Sequence, residues 1–170
     1  MLCFARDNES VAIASDDGTI EVCRLASRER IGPWRAHRDF ISGLAFMPDG
    51  KLLLSTSSDA TLKLWDVASQ RELPRFSRCE NRYLSLAITP DGLRVAAGAG
   101  NQYIRIWNAT TGQEVAALKG FHGMVTYLGF FCEGGVLISG TDEEVRLWRA
   151  PSGEEIAATE RKRREEARTR

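Results

Sequence analysis

The chain has 170 residues, 43% of them apolar, and its 23 basic and 23 acidic side chains leave no net formal charge. That supplies a sizeable core and gives no global attraction to nucleic acid or to an anionic membrane. No apolar run approaches the ~20 residues that cross a bilayer, and the opening Met1-Leu2-Cys3-Phe4-Ala5-Arg6 lacks the basic lead and apolar run of a secretory signal.

In chain order, the alternation of apolar and polar residues predicts short strands over 2–5, 10–15, 19–25 and 30–35, with Asp16-Asp17-Gly18 turning the second into the third. A second group follows over 41–47, 51–57, 61–67 and 72–77. Its turns are Pro48-Asp49-Gly50, Ser58-Asp59-Ala60 and Ala68-Ser69-Gln70-Arg71. The third group covers 83–89, 94–99, 103–109 and 114–119, again with a Pro90-Asp91-Gly92 turn. The fourth covers 125–131, 136–140 and 144–149, then a turn at Pro151-Ser152-Gly153 and a last strand ending near 159. Proline presets the turn's φ, aspartate bonds its own backbone, and glycine accepts positive φ. Short strands at even spacing with such turns predict antiparallel all-β structure. Leu52-Leu53-Leu54 and Val95-Ala96-Ala97 are apolar on both faces, so these sheets need cover on both sides.

The groups are copies of one unit. Thr61-Leu62-Lys63-Leu64-Trp65-Asp66 is echoed by Tyr103-Ile104-Arg105-Ile106-Trp107-Asn108, by Glu144-Val145-Arg146-Leu147-Trp148-Arg149 and, more weakly, by Thr19-Ile20-Glu21-Val22-Cys23-Arg24. Cys23 to Trp65 and Trp65 to Trp107 are each 42 residues, and Trp107 to Trp148 is 41. A fixed period of this length means one supersecondary unit stacked in tandem. With His37 ahead of its first strand, Phe46-Met47-Pro48-Asp49-Gly50 in its first turn, and Ser55, Asp59 and Trp65-Asp66, the second copy resembles the WD-repeat family of β-propellers. The resemblance covers about residues 2–158. It implies an all-β array of about four four-stranded antiparallel blades, at about 2–35, 41–77, 83–119 and 125–159, forming one partial propeller over 1–159. Family rings typically have seven blades, so the expectation is a part of a longer propeller, or an array completed by self-association or by blades from a neighbouring chain. Residues 160–170 form a charged tail: from Glu160 to Arg168 only Ala167 is uncharged, which suits a short exposed helix or a frayed end.

His37, Ser55 and Asp59 are the residue types of a nucleophilic triad. The resemblance implies a structural role instead, a hydrogen-bonded network reaching the Trp65 indole, because a buried indole N–H and imidazole need partners. The same role is expected of His122, Ser139, Asp142 and Trp148 in the fourth copy. The third keeps Trp107, but Ala97, Asn101 and Cys79 stand at the other three positions. The first keeps Asp17 and has Ile13 and Cys23. Degraded copies of one set argue for scaffolding over catalysis, and no catalytic residue is assigned. Cys3, Cys23, Cys79 and Cys132 form no Cys-x-x-Cys pair or metal-ligand spacing, so no cofactor or metal is expected and the thiols fit a reducing, cytoplasmic setting.

The loops entering each first strand carry the candidates for partner contact: Arg38, Phe40, Arg78, Arg82, Tyr83 and Phe121. Arginine and aromatics are frequent interface hot spots, although Phe40, Tyr83 and Phe121 suit equally well a role as plugs between blades. The expected function is a non-catalytic scaffold binding other proteins or peptides through its rim loops. The alternatives are an enzyme or regulatory domain with an axial-channel site, and a nucleic-acid or phospholipid contact through Arg161 to Arg164. Membrane insertion is not expected.

Overall fold

Tight turns at a fixed spacing cut the chain into short strands, and the structure, a computed structural model, describes residues 1–76 and 78–149. Strands β1 (Leu2–Phe4), β2 (Ser10–Ala14), β3 (Thr19–Arg24) and β4 (Arg30–Arg35) form the first sheet. The second holds β5 (Ile41–Phe46), β6 (Leu52–Ser57), β7 (Leu62–Asp66) and β8 (Arg71–Glu72). The third holds β9 (Tyr83–Ile88), β10 (Arg94–Ala99), β11 (Ile104–Asn108) and β12 (Glu114–Leu118), and the fourth β13 (Tyr127–Phe131), β14 (Val136–Gly140) and β15 (Val145–Arg149). Every pairing is antiparallel between consecutive strands, so each sheet is a simple meander.

The turns repeat as faithfully as the strands. Asp49 Oδ1 accepts from the Lys51 amide at 3.0 Å and Asp91 Oδ1 from the Leu93 amide at 2.9 Å. Between the second and third strands, Gly18, Ala60 and Gln102 stand 42 residues apart with φ of 84°, 66° and 65°. Glycine adopts that region at no cost, whereas Ala60 and Gln102 carry strain of about 1–2 kcal/mol each. Ala60 keeps it because its turn must deliver Asp59 and Thr61 to the positions described below.

Side chains alternate across each sheet, and the ladders show which of them share a face. Phe46, Leu53 and Trp65 lie on one face of the second sheet, Ala45, Leu54 and Leu64 on the other. The tryptophan face packs on the first sheet with Ala12, Ile20, Val22 and Trp34. The opposite face packs on the third sheet with Val95, Ala97 and Trp107. A third cluster, including Ala96, Ile104, Leu128, Leu137 and Trp148, joins the third and fourth sheets. Leu53 and Leu54 are therefore both fully buried although they point in opposite directions.

The sheets approach most closely along their first strands, where β1 meets β5, β5 meets β9 and β9 meets β13. They fan from that narrow edge as propeller blades do. Close approach needs small residues and specific hydrogen bonds there. A Cβ built on Gly43 would lie 2.7 Å from Leu86 Cβ. Ser42 Oγ donates to the Tyr83 carbonyl at 2.7 Å and Ser85 Oγ to the Val125 carbonyl at 2.8 Å. At the wide edge, charge pairs tie the third strand to the fourth: Lys63 with Glu72 at 2.9 Å and Arg105 with Glu114 at 2.8 Å. The first sheet reverses the polarity, with Arg30 Nη2 on β4 donating to Glu21 Oε2 on β3 at 2.6 Å.

Two boundaries differ from the sequence reading by more than one residue. The fourth strand of the second sheet stops at Glu72 instead of running to 77: Leu73 N still reaches the Leu64 carbonyl, and Pro74, whose ring fixes φ, follows it directly. Strand β13 begins at Tyr127, two residues later than expected. The strand expected after Pro151 and the charged tail of 160–170 lie outside the described residues. Among the described residues no helix is long and apolar enough to cross a membrane.

Candidate functional site

The chemistry-bearing side chains of the second blade converge on Trp65. Strand β6 presents Ser55, the β6–β7 turn presents Asp59, and the chain entering β5 presents His37, which is 1% exposed. Trp65 Nε1 donates to Ser55 Oγ at 2.8 Å. Ser55 Oγ lies 2.6 Å from His37 Nε2, and His37 Nδ1 lies 3.1 Å from Asp59 Oδ2. One proton arrangement uses every donor once: indole to hydroxyl, hydroxyl to Nε2, and Nδ1–H to carboxylate. Asp59 also accepts the Arg38 amide at 3.0 Å, the Thr61 amide at 3.0 Å and the Thr61 hydroxyl. The relay thus joins two strands, a turn and an incoming loop.

Its electrostatics follow from burial. Desolvation lowers the His37 pKa below its ordinary 6.5, with the Asp59 carboxylate opposing. Burial works to raise the Asp59 carboxyl, but hydrogen bonds from Thr61, the Arg38 amide and His37 outweigh it and hold it below the usual carboxylate range. The imidazole is therefore neutral at pH 7, as the proton arrangement requires. Ser55 is fully buried beneath the ring, so its hydroxyl faces the indole and imidazole and not a substrate-sized space.

The fourth blade keeps only part of this set. Trp148 Nε1 donates to Ser139 Oγ at 2.9 Å. His122 and Asp142, expected to complete the network, do not join it. The His122 side chain is 78% exposed, and its nearest acid is Glu144 at 3.8 Å. Asp142 is also exposed. Register explains this: a strict 42-residue step from His37 leads through Cys79 to Phe121, not His122. Phe121 fills the imidazole's place with its ring 5.4 Å from that of Trp148, under the Arg146 guanidinium. The turn is shorter by one residue and is closed by Thr141 Oγ1, which accepts from the Glu143 and Glu144 amides.

In the third blade Trp107 is buried, with Ala97 where the serine would be. It is packed edge-on by Phe76 and Tyr83, at 6.0 and 6.1 Å between ring centres. Packing replaces polar bonding here and leaves the Tyr83 hydroxyl and Asn101 Oδ1 buried without hydrogen-bond partners. Trp34, which the sequence reading passed over, lies 6.1 Å from Trp65 in the same relation that Phe76 bears to Trp107. Counting 42 back from Phe76 would have found it.

The partner candidates divide by burial. Tyr83 and Phe121 are 0% and 3% exposed and plug the space between blades, so they leave the set of contact residues. Arg38, Phe40, Arg78 and Arg82 are exposed. Arg38 and Arg78 border one cleft of ≈ 240 Å³ together with Asp59, Thr61, Lys63, Glu72 and Phe76. Arg78 Nη2 donates to the Asp59 carbonyl at 3.1 Å, and Lys63 Nζ to the Ala36 carbonyl at 3.0 Å. Arg82 stands apart, its Nη2 3.3 Å from Met124 Sδ. All four cysteines are free thiols, and burial pushes Cys3 up to about 11. Among the described residues no group of three or more His, Cys, Asp or Glu side chains is placed to hold a metal ion.

Meander sheets that repeat every 42 residues, stacked face to face around an indole-centred relay, define a WD-repeat array. The family model described as WD domain, G-beta repeat matches residues 28–66 and 76–108, which hold β4 to β7 and β9 to β11. Over those residues the chain carries two WD repeats, a unit that generally builds protein-interaction scaffolds. It is 38% identical over 53 residues to the guanine nucleotide-exchange factor SEC12 of Rattus norvegicus, and 36% identical over 53 residues to that of Mus musculus. Those stretches cover 31% of this chain and only 13% of the length of each relative.

The relay makes two predictions. Ser55→Ala orphans the indole N–H and the imidazole Nε2, which should cost about 1–3 kcal/mol for each buried group left unpaired. Thermal melts should show a large loss for Ser55→Ala and a smaller one for Ser139→Ala, whose serine serves only the indole. The second prediction concerns pH. A folded His37 pKa below the unfolded value means that the unfolded chain binds the extra proton first, so this contribution is present above pH 6.5 and is lost as pH falls through it. Denaturant titrations from about pH 7 to about pH 5 should show falling stability, and His37→Gln should flatten that fall.

Proposed function

We propose that this chain is a non-catalytic scaffold that holds partner proteins at the end of the array where the loops enter the first strands, and that it works in the cytoplasm. The observation that carries this reading is the cleft shared by Arg38 and Arg78. Both guanidinium groups are exposed, Phe76 supplies an apolar wall, and Lys63, paired with Glu72, leaves the two arginines in excess of the remaining carboxylate of Asp59. Such a cleft suits a protein segment that offers a carboxylate beside an apolar side chain, with arginine giving bidentate geometry. The one buried Ser-His-Asp set is committed to the Trp65 indole, which favours scaffolding over catalysis. In affinity capture from the native cell, Arg38→Ala/Arg78→Ala should lose at least about tenfold of the prey held by the wild type, roughly the loss of one charged hot-spot contact, at an unchanged melting temperature. Equal capture by both would overturn the reading.

A second reading rests on the outer faces of the array. Leu2 and Phe4 on the first sheet are 61% and 56% exposed, and Val145 and Leu147 on the fourth are 70% and 69% exposed. Exposed apolar sheet faces drive association. We propose that a second copy covers them, head to tail, since every internal contact already sets the tryptophan-side face of one sheet on the opposite face of the one before. Light scattering should give twice the monomer mass, and Leu147→Glu should restore the monomer. A wild-type monomer at high protein concentration would end this reading.

A further inference from the structure

A groove of ≈ 490 Å³ separates the first and second blades at the end opposite the Arg38 loop. Its floor is apolar, with Val22, Ile31 and Val67, all buried. Its walls carry the carboxylates of Asp7, Glu9, Asp49 and Asp66 against the cations Arg24 and Lys51. Arg24 is drawn toward Glu29, at 3.6 Å, which leaves the walls net acidic. Asp7 and Asp66 use Oδ1 for their own turns, accepting from Glu9 N and Ser69 N at 2.8 Å each.

One repeat further on, the corresponding place is filled by the protein itself. Arg75 Nη1 donates to the Ala109 carbonyl at 3.0 Å, and the Gly112 turn closes against its stem. The registers coincide, since Trp34 packs on Trp65 as Phe76 packs on Trp107, 42 residues apart. On that count Pro33 stands where Arg75 stands, and Val67 where Ala109 stands. Proline can neither reach across nor donate, so the first groove keeps the apolar floor and the carbonyl-bearing turn but lacks the side chain that occupies them next door. Four carboxylates around that space add what a guanidinium would meet on arrival.

We propose that this groove binds the side chain of an arginine carried by an extended segment of a partner protein. The aliphatic stem lies on Val22, Ile31 and Val67, and the guanidinium reaches the Val67 turn and the Asp7 and Asp66 carboxylates. The site is separate from the Arg38–Arg78 cleft and stands or falls independently of it. The test is a titration of the isotopically labelled chain with acetyl-Leu-Arg-Leu-amide, followed by amide chemical shifts. The expected result is perturbation confined to Asp7, Glu9, Ser10, Asp66, Val67 and Ala68. Binding should weaken at least about tenfold for the glutamine peptide and for the Asp7→Asn/Asp66→Asn variant, the usual scale of a charge-assisted contact. Asparagine retains the Oδ1 acceptor each turn needs, so the spectrum elsewhere should stay unchanged. Arg75→Ala should open the neighbouring groove and add a second set of shifts at Ala109 and Thr110. Equal binding of both peptides, shifts centred elsewhere, or full affinity in the double variant would overturn the proposal.

Discussion

Each sheet in this protein is apolar on both faces, and that constraint orders the rest. A sheet with Leu53 on one side and Leu54 on the other, both fully buried, has no stable existence with either side wet. It must be sandwiched, and because every blade is alike it is sandwiched by copies of itself. The fan follows from small residues along the first strands, Gly43 and Ser85 among them, which let the narrow edges close in, while tryptophans nearer the wide edge hold the sheets apart. Stability in such an array is a sum of blade and neighbour terms, and three apolar clusters, one per interface, are where those terms reside.

The polar relay is secondary to that packing and varies from blade to blade. In the second blade the indole N–H is satisfied by a serine, an imidazole and an aspartate. In the fourth a serine suffices and Phe121 replaces the imidazole, and in the third aromatic edges replace the bonds altogether. What persists in these three blades is the ring at the tryptophan slot, which fills the interface; the first blade has Cys23 there. What drifts is the means of satisfying one N–H. A residue set that resembles a hydrolytic triad is therefore one member of a series whose common purpose is to keep an aromatic plug in place.

The architecture was legible because its signal is arithmetical. Trp65, Trp107 and Trp148 announce the period, and the Pro-Asp-Gly turns announce the hairpins. The same arithmetic, applied less strictly, misled at His122, where the residue type suggested the imidazole slot and the count assigns it to Phe121. Burial of Tyr83 and Phe121 was not legible, since an aromatic at a loop–strand junction suits a rim or a plug equally until the neighbouring sheet is in view. Nor could the left-handed turns at Ala60 and Gln102 be read from side chains that do not favour them. They are imposed by tertiary contacts on residues whose own preferences point elsewhere.

The reversed ion pair of the first blade bears on how the chain sorts its strands while folding. Tandem copies this similar could exchange partners, with the third strand of one unit recruiting the closing strand of another. If β3 met β8 or β12, Glu21 would face Glu72 or Glu114, and if β7 met β4, Lys63 would face Arg30. Like charges across a ladder repel. The swapped polarity thus marks the first unit as its own, and discourages a tangle that a row of identical modules would otherwise invite.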